Sequence, residues 1–270
     1  MGPVNEMQGS RLKSLVYEKR FPLIVSLAAN DPELARAAQE AGADAVKLHL
    51  NTVHEITGSR FGSWEEEREG ILAVLAAVDL PVGVVPGQGD AMADERAFEE
   101  MAAAGVDFID APWFALPGAA LRRSLQEGRP AVMAALSHAD LVATAYLVAD
   151  PANAGPAPNH VHALPVHHVP PLLPCLTRLP GIDLVEAAVA APGEVGRPLT
   201  AATLVRYAQV CQDSRLPVIV PSQLVFSPQD LRLLAAVGVA GVLLGPLVIG
   251  RTVSEIGRQL PRFRQVRDSL

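Results

Sequence analysis

Cysteine is nearly absent: Cys175 and Cys211 are the only two in 270 residues. Two are too few for a disulfide framework and point to a reducing cytoplasm. Long apolar runs are missing as well. No stretch approaches the roughly 18 residues that span a bilayer. Met1 to Arg20 is mostly polar, without the apolar centre of a secretory signal. Nor is positive charge in excess: 22 Lys and Arg face 29 Asp and Glu, a net −7. No general attraction to nucleic acid or to an anionic membrane follows from that balance. What the chain has in quantity is apolar residues, 50% against 19% charged. That excludes a disordered chain, and 270 residues can bury a full core. The expectation is one cytoplasmic domain, with room for a homo-oligomer.

The rest reads as short apolar run, polar loop and Ala/Leu-rich helical stretch, repeated. Such alternation belongs to α/β architecture with a parallel sheet. The strand candidates are Leu23–Leu27, Ala45–Leu50, Val82–Val85, Val106–Asp110, Ala131–Leu136, Ile182–Ala188, Val218–Val220 and Gly241–Leu244. Eight βα units predict a (β/α)8 TIM barrel, with a doubly wound sheet as the competitor. Asp31-Pro32 and Ser227-Pro228 each offer a capping oxygen before a proline at the first helical position. Ser63 to Glu66 is a capping box. "AQEAGADAV" and "LAAVGVAGV" write the same helix–Gly–strand joint twice.

Residues 1–20 read as an N-terminal helical extension, with a helix from Arg11 to Lys19 outside the barrel or closing its bottom, and 21–270 as the barrel itself. One stretch, about 150–180, breaks the rhythm. Between Asp150 and Gly181 stand eight prolines and four histidines, which predicts an irregular insertion. A ninth strand at Val161–Pro165 stays open. His160, His162, His167 and His168 match no standard zinc spacing, so a Pro-rich loop is the better account.

Strand alternation turns β-pattern into chemistry. In Asp44 to Asn51 the apolar Val46, Leu48 and Leu50 share one face, which should meet the helices. Lys47, His49 and Asn51 then point into the barrel, toward the C-terminal mouth where barrel enzymes place their sites. Lysine is scarce: of 22 Lys and Arg only Lys13, Lys19 and Lys47 are lysines. A buried lysine needs an acidic partner or a lowered pKa, and either suits proton-transfer or Schiff-base chemistry. Glu186 in the sixth run and Asp110 ending the fourth are the candidate acids or bases. A structural salt bridge is the alternative for both, and a shared divalent metal stays open. No redox cofactor is implied. Asp107 and Asp183 are expected at strand starts, on the stability face.

The last two units, Pro217 to Gln223 and Gly241 to Thr252, occupy the positions where barrels bind phosphate through backbone N–H groups and a helix N-terminus. Ser222, Gly245, Gly250, Arg251 and Thr252 are the candidate phosphate contacts. Asn51, Gln223 and Arg60, the last in a polar loop that could close as a lid, are candidate substrate contacts.

"PLIVSLAA", "LPVGVVPG" and "LPVIVPSQLVFSPQDLRLLAAVGVAGVLLGPLVIGR" resemble the ribulose-phosphate-binding barrels, nearest to the N-acetylmannosamine-6-phosphate 2-epimerases, over residues 22–110 and 216–251. The resemblance implies a phosphorylated sugar or similar small metabolite, held by Ser222 and the Gly245–Arg251 loop. Where that family carries a catalytic lysine after the third strand and a glutamate after the seventh, this chain has Pro86 and Pro221. The epimerase chemistry therefore does not carry over. The reading that results is an isomerase or lyase acting on a small phosphorylated metabolite by proton abstraction next to a carbonyl. A non-catalytic phosphate-ligand sensor or scaffold, and a Lys47 Schiff-base aldolase, are the alternatives.

Overall fold

A computed structural model describes residues 9–53, 58–88, 91–140, 172–191 and 193–270. All eight predicted runs are strands, with ends shifted by a residue or two: β1 Leu23–Ser26, β2 Ala45–His49, β3 Val82–Val85, β4 Phe108–Pro112, β5 Ala131–Ser137, β6 Leu184–Ala188, β7 Val218–Pro221 and β8 Gly241–Leu244. They pair in parallel with their sequence neighbours, and β1 closes on β8, giving the (β/α)8 barrel. The outer helices include α2 Pro32–Glu40, α3 Trp64–Ala77, α4 Glu95–Ala104, α5 Gly118–Glu127, α7 Ala201–Asp213, α8 Asp230–Ala236 and the terminal α10 Val253–Arg267. Among the described residues no helix is long and apolar enough to cross a membrane.

Local chemistry explains the joints. Asp31 caps α2 through the Glu33 N–H at 2.7 Å, with Pro32 in the first turn. The capping box of Ser63 and Glu66 opens α3. Gly42 and Gly238 both take a left-handed φ, +95° and +96°, so the repeated joint is one backbone turn used twice. Ser227-Pro228 does not cap its helix. Ser227 donates from N and Oγ to Asp230, and α8 begins only at Asp230, one turn later. The end of the Pro/His-rich segment, α6 Leu172–Leu176, is helical despite Pro174. That proline lies in the first turn, where the missing N–H has no intrahelical partner to lose. The four histidines and the ninth-strand candidate lie outside the described residues.

Two apolar layers share the strands. Val46, Leu48, Val84, Ile109 and Val185 face outward to the helices. Ile24, Ala45, Phe108, Met133, Leu184 and Ile219 fill the barrel, and Leu12 and Val16 of α1 Arg11–Tyr17 plug its bottom. Carboxylates bind that plug. Asp107 accepts from Ser10 Oγ at 2.7 Å and from the Arg11 and Leu12 N–H groups at 2.8 and 3.0 Å. Asp183 accepts from Lys13 Nζ, Ser124 Oγ and the Val132 N–H.

Phe108 dominates the interior because β3 gives way beside it: a Cβ on its register partner Gly83 would overlap the ring. Gly83→Ala is expected to cost roughly 1–3 kcal/mol in urea unfolding. Combined with Phe108→Leu, part of that loss should return, a favourable coupling of about 1 kcal/mol. Strict additivity of the two changes would contradict this packing.

Candidate active site

Above the apolar layer, the inward positions turn polar at the strands' C-terminal ends. β2 contributes Lys47 and His49, β1 contributes Ser26, β4 Asp110 and β6 Glu186. All five line a cavity of 460 Å³ at the mouth, within the usual range for small-molecule sites. The inward parity of Lys47 and His49 follows from alternation, since Val46 and Leu48 sit in the outer core.

Lys47 joins two strands that are far apart in the chain. Its Nζ lies 2.5 Å from Asp110 Oδ2 and 3.0 Å from Glu186 Oε2. The three residues are only 6%, 2% and 8% exposed. Burial pulls the Lys47 ammonium down, but the two carboxylates outweigh it and hold the group above its usual range. Burial and the neighbouring Glu186 push Asp110 well above the carboxylate range. Burial also pushes Glu186 upward. The Lys47 charge, with hydrogen bonds from Asp110 and Lys47, more than offsets that and leaves it below its usual value. The two carboxyls are thus driven apart, Asp110 toward the protonated form and Glu186 toward the ionised one, beside a charged Lys47. Asp110 Oδ1 is buried and has no hydrogen-bond partner among the described residues.

The ammonium occupies the position between the carboxylates that a shared divalent ion would need. Among the described residues no cluster of three His, Cys, Asp or Glu side chains suits a metal.

His49 is held from three sides. Asn30 bonds its backbone twice, through Nδ2 to the His49 carbonyl at 2.8 Å and through Oδ1 from its N–H at 3.1 Å. Its ring packs on Phe61 at 4.9 Å, and its Nε2 lies 3.4 Å from Ser26 Oγ. Phe61 arrives on a two-stranded hairpin, Thr52–Val53 against Arg60–Phe61. Hairpin alternation buries Phe61 and turns Arg60 outward, so Arg60 does not line the cavity.

Asn51 departs from expectation too. β2 ends at His49, and Asn51 takes a left-handed φ of +48°. Its Nδ2 donates to the Pro86 carbonyl at 3.2 Å instead of entering the cavity.

The final two units divide. Ser222, Gln223 and Gly245 line the cavity, and the Gly245 N–H donates to Ser222 Oγ at 2.7 Å. Gln223 Oε1 accepts from the Ala190 N–H at 3.1 Å, tying the β6 and β7 loops. Gly250, Arg251 and Thr252 stand beyond the short helix α9 Pro246–Ile249, off the cavity wall. Their N–H groups are used locally. Gly250 donates to Pro246 O, and Arg251 and Thr252 both donate to Glu255 Oε2, whose capping box with Thr252 starts α10. The Arg251 and Thr252 backbone donors serve the start of α10.

Among the polar cavity residues that the sequence analysis does not single out are Ser26, Thr52, Ser137 and Asp140. Ser26 was within reach, since it shares the inward parity of Ile24. Thr52 was not, because the left-handed Asn51 resets the alternation before it. Its buried hydroxyl has no hydrogen-bond partner among the described residues.

No protein-family model matches the chain, and no curated protein matches its sequence. Solved structures match its fold. The tryptophan synthase α chain from Legionella pneumophila aligns at a TM-score of 0.60 and 15% identity, over 97% of this chain and 98% of that one. Phosphoribosyl anthranilate isomerase from Thermus thermophilus aligns at 0.54 and 16%, over 92% and 98%. Thiamine phosphate pyrophosphorylase from Pyrococcus furiosus aligns at 0.53 and 12%, over 94% and 98%. At these identities the shared property is the TIM-barrel fold. The epimerase likeness finds no family match to support it.

Removing the cation should expose the electrostatics of the site. Lys47→Met leaves a buried carboxylate without its partner, an expected loss of about 3–5 kcal/mol in urea unfolding at pH 7. Without Lys47, burial raises Glu186 above its unfolded value. Its stability contribution is then present at low pH and lost as pH rises through the folded pKa. The deficit should therefore shrink at pH 5. A deficit equal at both pH values, or below about 1 kcal/mol, would contradict the charge assignment.

Proposed function

We infer that this barrel is an enzyme of the isomerase or lyase type, acting on a small phosphorylated metabolite by moving a proton next to a carbonyl. The observation that carries the reading is the Lys47–Asp110–Glu186 cluster at the cavity floor. Two carboxyls driven to opposite protonation preferences form an acid and a base within reach of one another. Glu186, ionised, takes the proton from the carbon. Lys47 stabilises negative charge growing on the carbonyl oxygen, and Asp110 supplies a proton to the resulting enolate. His49, beside Ser26, is a second proton carrier at the wall.

The phosphate end is supported by place. Barrels bind phosphate at the loops after strands seven and eight, beside a short extra helix. Here α9 begins at Pro246, and its N-cap Gly245 donates to Ser222 on the cavity wall. Two of the similar structures carry phosphate-bearing compounds in their names. Binding that remote group would orient the reacting end.

A Schiff base at Lys47 is the less favoured chemistry, because its two acidic partners hold the amine charged, and a charged amine is no nucleophile. A non-catalytic sensor draws on one observation: Pro221, which cannot carry a proton, lines the cavity.

The test uses thermal unfolding against triose, pentose and hexose phosphates, then deuterium exchange from D2O into whichever ester binds. A ligand at 100 times its Kd should stabilise by about 2.7 kcal/mol. The parent should exchange the hydrogen next to the carbonyl. Glu186→Gln should bind the same ester and lose exchange by roughly 10²–10⁴-fold. Binding without exchange in the parent would favour the sensor.

Exchange should also follow a bell-shaped pH profile. The acid limb lies below the usual carboxylate range, where Glu186 takes a proton, and the alkaline limb well above it, where Asp110 loses one. Both limbs belong to the coupled pair. A single limb at the ordinary carboxylate value would contradict the split.

A further inference from the structure

The cavity's β1 and β7 side presents Ser26, Ser222 and Gln223, whereas its β5 and β6 wall presents the apolar Ala135 and Ala188 below a rim of Ser137 and Asp140, which bond each other. At the mouth on that apolar side stand Phe114 and Val195, both lining the cavity and both exposed, at 63% and 42%. Apolar side chains at the rim of a concave site with a polar floor suit a binding surface.

Phe114 is also held in place. It sits on a single 3-10 turn, Trp113–Ala115, directly after β4. Its ring meets Trp113 edge to face at 6.0 Å and 90°. Trp113 Nε1 in turn donates to Asp140 Oδ1 at 3.0 Å, and Asp140 Oδ2 accepts from the Ser137 N–H and Oγ. Trp113 packs on the outer core behind it. The result is a fixed aromatic shelf over the apolar wall, with the acid–base cluster below it.

We propose that this shelf is a subsite for an aromatic or similarly apolar group of the substrate, so that the enzyme's ligand is a phosphoester with a ring-bearing end rather than a plain sugar phosphate. The inference rests on the proposed function for its polar end. The ring end lies against Phe114, Val195 and Ala135, and the phosphate end points to the Ser222 side. A flat ring gains from an aromatic face beyond the area it buries, whereas a polyhydroxylated chain would leave its hydroxyls unpaired against Ala135 and Ala188.

Calorimetric binding of three probes to the full chain tests this: 2-phenylethyl phosphate, glycerol 3-phosphate and 2-phenylethanol. The expected result is 2-phenylethyl phosphate binding about tenfold or more tightly than glycerol 3-phosphate. Phe114→Ser should remove that preference and Phe114→Tyr should keep it, each with an unchanged unfolding midpoint. Glycerol 3-phosphate binding equally well, or a preference untouched by Phe114→Ser, would overturn the shelf and leave the phosphate reading standing. Tight binding of 2-phenylethanol with no gain from the phosphate would uphold the shelf and overturn the phosphate end. Binding of none of the three would overturn both.

Discussion

A single ammonium group between two carboxylates organises the mouth of this barrel. Lys47, Asp110 and Glu186 come from β2, β4 and β6, and each is almost wholly withdrawn from water. Three full charges there would leave a buried net charge of −1, which the low local polarity penalises heavily. Holding a proton on Asp110, the direction in which burial and Glu186 push it, would remove that excess. The cluster would then be neutral as a whole and polarised within. A site that must raise and quench charge on a substrate needs such polarity in place beforehand.

The rest of the molecule fixes the strands that carry them. At the opposite end, carboxylates are used differently. Asp107 and Asp183 are also buried, yet they accept from the chain start, from α1 and from neighbouring N–H groups, which satisfies the oxygens and ties the plug to the barrel. Between the two ends lies a purely apolar layer around Phe108, admitted by Gly83. The division between a bottom that secures the fold and a top that holds reactive groups is the ordinary economy of a TIM barrel.

Much of this was legible in the chain. The eight strands followed from short apolar runs separated by helical stretches. The inward direction of Lys47 and His49 followed from alternation within Asp44 to Asn51, and the same rule would have given Ser26. Reasoning failed where the backbone leaves regular geometry. Asn51 lies past the end of β2 in a left-handed conformation, so alternation no longer says where it points. Arg60 and Phe61 sit on a two-stranded antiparallel pair outside the barrel, so the barrel's alternation does not say where they point. Gly250, Arg251 and Thr252 match a phosphate loop as a string. Their donors serve Pro246 and the capping box of Glu255, a competition for hydrogen bonds that only geometry reveals. The meeting of Lys47 with both acids depends on barrel register, which local pattern does not fix.

The central claim is the unequal protonation of two adjacent carboxyls, and infrared spectroscopy reads it directly without a known substrate. The account predicts a protonated carboxylic acid band at pH 7 in the parent protein. That band should vanish in Asp110→Asn, and in Glu186→Gln as well, because the Glu186 charge that pushes Asp110 upward is then gone and Lys47 faces a single carboxyl. A parent spectrum showing only ionised carboxylates, or a band that survives Asp110→Asn, would contradict it.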